Sequence, residues 1–151
     1  MYKRQCLTNF LIILILFLGF LALIGGWPGA LVFAVIPVVV IAVALSLGLG
    51  ILLGTINVFY RDVEQTVGLV LNFWFWLTPI VYPARALPSW LAGILEWNPM
   101  WPLVRFAQSV FLDHQVEAWS SLMYPSLLAC VVLLVAARAF RTLSADIVDE
   151  L

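Results

Sequence analysis

The chain has 151 residues, of which 65% are hydrophobic and only 10% charged, and its mean hydropathy is +1.13. Soluble domains are about half apolar, so this composition is typical of a polytopic membrane protein. The formal net charge is −1 and the seven basic residues are scattered, which excludes nucleic acid as a partner.

The first half of the chain predicts a membrane hairpin. A nearly continuous apolar run predicts a first span over residues 7–24, and the sequence GGWPG at 25–29 predicts a tight turn. A second span follows over residues 30–54. Small residues recur within it at every fourth position and form what we call the helix-packing stripe: Ala42, Ser46, Gly50 and Gly54. We expect this stripe to pack against another helix of the same subunit, with a subunit interface as the alternative.

A polar interruption follows at residues 57–63, with the sequence NVFYRDV. The adjacent charges of Arg61 and Asp62 would cost roughly 2.5 to 3.5 kcal/mol each at the centre of a bilayer. They therefore predict a water-facing turn.

A third span is predicted over residues 67–82. Its spacing places Asn72, Trp76 and Pro79 on one helical face. In one interpretation Asn72 forms a hydrogen bond with a neighbouring helix; in the other, this face lines a pathway for a polar substrate, with aromatic rings available to stack on sugars.

The next 40 residues are too polar to span a membrane and too apolar for an ordinary loop. Two short helices are predicted there, over residues 88–97 and 102–112, as a re-entrant or interfacial pair. Trp97 and Trp101 lie in this region, and we add them to the predicted pathway lining. A last span is predicted over residues 122–137, followed at once by Arg138 and Arg141. The positive-inside rule then predicts a cytoplasmic C-terminus and a cytoplasmic turn at Arg61 and Asp62.

The sequence contains no Walker-type phosphate loop, no HExxH and no Cys/His cluster, so we predict no catalytic, cofactor-binding or metal-binding residues. The spans lack ionisable residues, which argues against a proton- or ion-coupled transporter. If the chain moves a substrate, we expect the energy to come from another subunit.

The first five residues, 1–5, match the translated end of a commonly used sequencing transposon. We expect them to be a non-native scar, and the chain to be the C-terminal part of a longer protein.

Three stretches taken together resemble a known family: residues 57–63, residues 75–82 with the sequence FWLTPIVY, and Asn98-Pro99-Met100 followed by Arg105. Their order and spacing are similar to the C-terminal half of ABC-2 type permeases, particularly exporters of O-antigen, teichoic acid and capsular polysaccharide. The resemblance implies a six-span permease that works as a homodimer, bound to two separate ATPase subunits that hold the ATP. The four spans here would be the family's third to sixth, and the two short helices would close the outer end of the channel.

We therefore expect a single all-α transmembrane domain with four spans and two short helices. The expected function is that of a permease subunit, truncated at its N-terminal side, that exports lipid-linked polysaccharide across the bacterial inner membrane. The alternatives are an ABC-2 exporter of drugs or other lipids, a membrane-embedded glycosyl- or acyltransferase, and a non-catalytic assembly subunit.

Overall fold

The computed structural model describes residues 2–60, 62–80, 93 and 95–149, with side chains for 8–9, 12–60, 62–80, 93 and 95–142. Within these ranges the chain is helical, without strands. Its α-helices are α1 (Tyr2–Ile24), α2 (Val35–Phe59), α3 (Val63–Leu77), α4 (Met100–Leu112) and α5 (Met123–Asp149). Short 3-10 helices, Gly29–Ala34 and Trp119–Leu122, lead directly into α2 and α5.

Two helical segments in the described part of the chain are long and apolar enough to cross a membrane, Gly29–Phe59 and Trp119–Thr142. They contain the predicted second and fourth spans. A shorter apolar segment, Ile12–Ile24, lies in α1. Of the four predicted spans, the second and fourth therefore correspond to helices of membrane-spanning length. The first and third correspond to the shorter apolar segment in α1 and to α3.

The turn after α1 is closed by glycine. The N–H groups of Gly25 and Gly26 donate to the carbonyls of Ala22 and Leu21, at 3.4 and 3.0 Å, in the pattern of a Schellman motif. Gly25 has φ +78°, a conformation that costs an L side chain about 1 kcal/mol or more but costs glycine little. The chain therefore leaves α1 at Gly25 and enters the next helix within a few residues.

The main contact of the fold joins α2 to α5. The buried residues of α2 are Val38, Leu45, Gly48 and Thr55. On the α5 side, the buried residues are Leu122, just before the helix, and Pro125, Ala129 and Ala136 within it. Both sets repeat at intervals of three, four or seven residues, which is the spacing of a helix–helix seam. Small residues on both sides allow the two backbones to approach closely.

Gly48 is the point of closest approach. A Cβ at this position would lie 2.8 Å from Val132 Cγ1 and 3.1 Å from the Leu133 backbone nitrogen. By contrast, no described atom outside the helix's own backbone lies within 4 Å of a Cβ built at Gly50 or Gly54. Three members of the helix-packing stripe, Ser46 with these two glycines, are exposed. Ala42, the fourth member, is half-buried and packs against the cluster around Val38. At the other three positions, no packing against another described helix is seen; the face that carries Gly48 makes the contact with α5 instead.

The two helices run parallel. Val38 near the start of α2 and Leu122 just before α5 share one hydrophobic cluster, and ten residues further along each helix Gly48 meets Val132. The end of α2 and the end of α5 therefore lie on the same side of the bundle. The loop before α5 lies on the opposite side, together with the start of α2.

Helix α4 packs in the angle between the starting ends of α2 and α5. Its buried face contributes Leu103, Phe106 and Val110 to the cluster that holds Val38 and Leu122. The 13 residues of α4 make it about 20 Å long, which is too short to span. This helix covers the predicted segment 102–112 and begins two residues earlier. The other predicted short helix, 88–97, falls largely outside the described residues.

Helix α3 begins earlier and ends earlier than the predicted third span. It starts at Val63, directly after Asp62, and its first turn is tied to α2 because Glu64 N donates to Asn57 Oδ1 at 3.1 Å. It ends at Leu77, with Thr78 extended at φ −98° and ψ 132°. The residue before a proline avoids the helical conformation, so Pro79 accounts for this end.

We expect Gly48→Ala to lower the free energy of unfolding by about 1–3 kcal/mol, because the new methyl group would force the α2 and α5 backbones apart. Gly50→Ala is the matched control on the same helix, and it should be neutral or stabilising by about 0.5–1 kcal/mol through helix propensity. Thermal unfolding in detergent micelles, followed by circular dichroism, measures both. Equal melting temperatures for the two variants would contradict the assigned seam.

Candidate functional site

A polar network joins the end of α3 to the start of α4 inside an otherwise apolar bundle. Trp74 Nε1 donates to Asn98 Oδ1 at 2.7 Å, and Asn98 Nδ2 donates to Thr78 Oγ1 at 3.1 Å. The Thr78 hydroxyl in turn donates to the Trp74 carbonyl at 2.9 Å. We call these three residues the Asn98 network. It satisfies side-chain groups that would otherwise be costly to bury away from water.

The same asparagine also starts α4. Its Oδ1 accepts a hydrogen bond from the backbone N–H of Met100, the first residue of α4, at 3.0 Å. One turn before the end of α4, Gln108 Nε2 donates to the carbonyl of Pro79 at 2.7 Å. Two independent polar links therefore hold α4 against the chain segment that follows α3.

A groove of about 470 Å³ lies between the start of α4 and the start of α5. Acidic, basic, aromatic and hydroxyl side chains share its walls: Glu96, Trp101, Arg105, Glu117, Ser121 and Tyr124. Arg105 Nε donates to Glu117 Oε1 at 2.7 Å across the groove wall. The Tyr124 hydroxyl donates to the Trp97 carbonyl at 2.8 Å, which holds its ring in place.

The predicted lining residues fall in three different places. Asn72 and Trp76 lie one turn apart on an exposed face of α3. Pro79 lies beyond the end of that helix and is fully buried, so it does not share their face. Trp101 is 4% exposed and forms part of the groove wall, and Trp97 is 78% exposed beside the groove. The structure thus separates an α3 face from the groove.

The predicted turn residues are described in part. Asp62 is exposed and stands directly before the first residue of α3. Arg61 lies outside the described residues.

Sequence reasoning did not identify the groove or the partners of Asn98. The pairing of Arg105 with Glu117 could have been suspected from the sequence, because charged residues are rare in this chain and these two have opposite charges. The hydrogen bond of Trp74 could not have been suspected, because Trp74 stands among other aromatic residues and its partner Asn98 lies 24 positions away. Within the described ranges, no group of three or more His, Cys, Asp and Glu side chains is placed to hold a metal ion.

The sequence profile of ABC-2 type transporters matches residues 4–112 of the chain, which include α2 to α4 and all but the first two residues of α1. The chain belongs to the ABC-2 type transporter family. The resemblance based on residues 57–63, residues 75–82 and the Asn98 stretch is therefore confirmed. Thr78 from the second stretch and Asn98 from the third are bonded to each other in the Asn98 network.

The curated relatives that this ABC-2 chain matches are named as export or transport proteins. It is 32% identical over 138 residues to the O-antigen export system permease protein RfbA of Myxococcus xanthus, covering 90% of this chain and 53% of that protein. It is 28% identical over 106 residues to RfbA of Klebsiella pneumoniae, covering 70% of this chain and 41% of that protein. It is 20% identical over 100 residues to the polysialic acid transport protein KpsM of Escherichia coli, covering 66% of this chain and 39% of that protein. The chain thus spans about half the length, or less, of these relatives.

We expect Asn98→Ala to destabilise the protein by about 1–3 kcal/mol, because it removes the acceptor of Trp74 and of the first α4 amide together. Asn72→Ala is the matched control, since Asn72 is exposed on α3, and its unfolding free energy should stay within about 0.5 kcal/mol of the parent. Denaturant titration in mixed micelles measures both changes. An Asn98→Ala protein as stable as Asn72→Ala would show that the network does not hold α4.

Proposed function

We propose that this chain is the permease part of an ABC exporter that moves lipid-linked polysaccharide across the bacterial inner membrane. A separate ATPase subunit hydrolyses the ATP, and a second permease copy completes the channel. The observation that carries the proposal is the 32% identity to an O-antigen export permease over 90% of the chain. Family membership supports a transport subunit rather than a membrane-embedded transferase.

The exposed face of α3 supports a polar substrate path. Asn72 presents an amide on a helix that lies between apolar spans, and Trp76, four residues later, is 62% exposed. An unpaired amide facing lipid is costly, whereas one facing a hydrated path is not. Sugars bind through hydrogen bonds and aromatic stacking, which these two side chains provide.

The parallel arrangement of α2 and α5 supports a cytoplasmic C-terminus. Because both helices end on one side, exposed Asp62 lies on the same side as Arg138 and Arg141, which lie in the second half of α5. On the opposite side, Arg105 is paired with Glu117, which offsets its charge. The positive-inside rule counts Arg138 and Arg141 and therefore favours the first side as cytoplasmic. We place the ATPase there, next to the turn in which Asn57 binds the Glu64 amide.

The helix-packing stripe supports a second copy. Ser46, Gly50 and Gly54 face away from the other described helices, and small residues on an exposed helix face allow another helix to pack closely. We therefore propose these three residues of the stripe as part of the permease homodimer interface.

A chimera tests the export function. The aligned segment of the Myxococcus xanthus export permease is replaced by this chain, in a strain that lacks the permease, and surface O-antigen is measured with an antibody. We expect the chimera to restore surface O-antigen and to co-purify with the ATPase.

Substitution of Asn72 in the same chimera tests the α3 face. Asn72→Ala should lower export several-fold at unchanged protein level, because a polar contact on the path is lost, while Phe73→Leu on the neighbouring exposed position should not. A chimera that reaches the membrane without restoring surface O-antigen would overturn the export function. Equal export by the Asn72→Ala and Phe73→Leu chimeras would show that the exposed face of α3 does not line the substrate path.

Cysteine labelling tests the sidedness. After Cys6 and Cys130 are replaced by serine, single cysteines are introduced by Asp62→Cys, Thr142→Cys and Gln115→Cys. A membrane-impermeant maleimide applied to intact spheroplasts should label the Gln115 variant alone, because Gln115 lies in the loop before α5. Labelling of the Asp62 and Thr142 variants from outside would reverse the proposed orientation, and labelling of only one of them would contradict the parallel helices.

A further inference from the structure

We propose that the groove between α4 and α5 is a binding subsite for a neutral sugar residue. The proposal rests on the proposed export function, since the exported glycan is the source of this sugar. The groove lies beside the loop that precedes α5, on the side opposite to Asp62 and Arg138. A glycan that crosses from the cytoplasmic side would reach it on leaving the membrane.

The dimensions and the aromatic wall fit a sugar ring. A volume of about 470 Å³ falls within the range of roughly 300–1,000 Å³ found for small-molecule sites. The ring of Tyr124 is held by the hydrogen bond from its hydroxyl to Trp97 O before any ligand arrives. An aromatic ring that is already ordered loses little entropy when the apolar face of a sugar stacks on it.

The charges of the groove argue against an anion. One arginine and two glutamates give 1 − 2 = −1, and the single guanidinium is already bonded to Glu117 through Nε at 2.7 Å. A phosphate headgroup would therefore meet a net negative groove whose arginine charge Glu117 already offsets. An acyl chain is also disfavoured, since it would strip water from the Glu96 carboxylate without giving it a hydrogen-bond donor.

The hydrogen-bonding groups of the groove suit hydroxyls. The exposed Glu96 carboxylate accepts and cannot donate. The Ser121 hydroxyl donates its hydrogen to Ala118 O at 2.9 Å, so its oxygen lone pairs remain as acceptors. Sugar hydroxyls can donate to both. The groove therefore offers acceptors beside an aromatic ring, which is the complement of a neutral sugar.

Binding to the full chain in lipid nanodiscs tests this subsite. The probe is Myxococcus xanthus O-polysaccharide released from its lipid by mild acid, followed by saturation-transfer NMR. We expect saturable binding that Tyr124→Ala weakens about tenfold and Glu96→Gln, which keeps the side-chain shape, weakens several-fold. Leu127→Ala, on the exposed apolar face of α5 outside the groove, should bind like the parent. Glycerol phosphate should not compete.

Two pairs of outcomes separate this subsite from the export function. If the chimera restores export but the parent chain shows no saturable binding, or binds the same after Tyr124→Ala and Glu96→Gln, the subsite is wrong and the export function stands. Competition by glycerol phosphate would show that the groove binds a phosphate headgroup rather than a neutral sugar, and would also overturn the subsite. If the groove variants lose binding but the chimera does not export, the saccharide site stands and the export function is wrong.

Discussion

The close contact between α2 and α5 at Gly48 constrains the rest of the structure. Two helices that pack this closely and run parallel cannot be joined by a short loop, so the intervening chain has to return to the starting side before α5 begins. Helix α3, at 15 residues about 22 Å long, provides much of that return. The contact therefore determines that the turn at Asp62 and the end of α5 share a side, on which the proposed orientation depends.

Helix α4 depends on the same pair for its position. Its apolar face fills the angle between the starting ends of α2 and α5, and the Asn98 network with Gln108 ties it to the segment after α3. Apolar packing alone would let a short helix slide along its neighbours, since it has little directionality. The hydrogen bonds have direction and cannot be replaced by water in an apolar surrounding, so they give α4 one register. The groove exists because α4 holds Arg105 beside the loop that carries Glu117.

The comparison of Gly48 with Gly50 shows where sequence reasoning reached its limit. The stripe through Gly50 contains four small residues at regular spacing, and this pattern favours helix packing. The face that packs inside the chain contains a single glycine among larger residues. Its partner surface, with Ala129 and Ala136, lies more than eighty residues further along the chain. A smooth face predicts that a helix can approach, but the shape of the partner determines which face is used.

The sequence by itself determined the membrane character of the chain, the polar turn at residues 57–63 and the resemblance to the ABC-2 family. Each of these follows from composition or from local order, because apolar runs, charges and motif spacing act within a few residues. The early end of α3 was also readable, since Pro79 excludes a helical Thr78. Tertiary structure alone decided the seam at Gly48, the Asn98 network, and the groove with its Arg105–Glu117 pair. The contacts that define these features, apart from the local Thr78–Trp74 hydrogen bond, join residues 12 to more than 80 positions apart. The folded path of the chain, rather than any local pattern, brings them together.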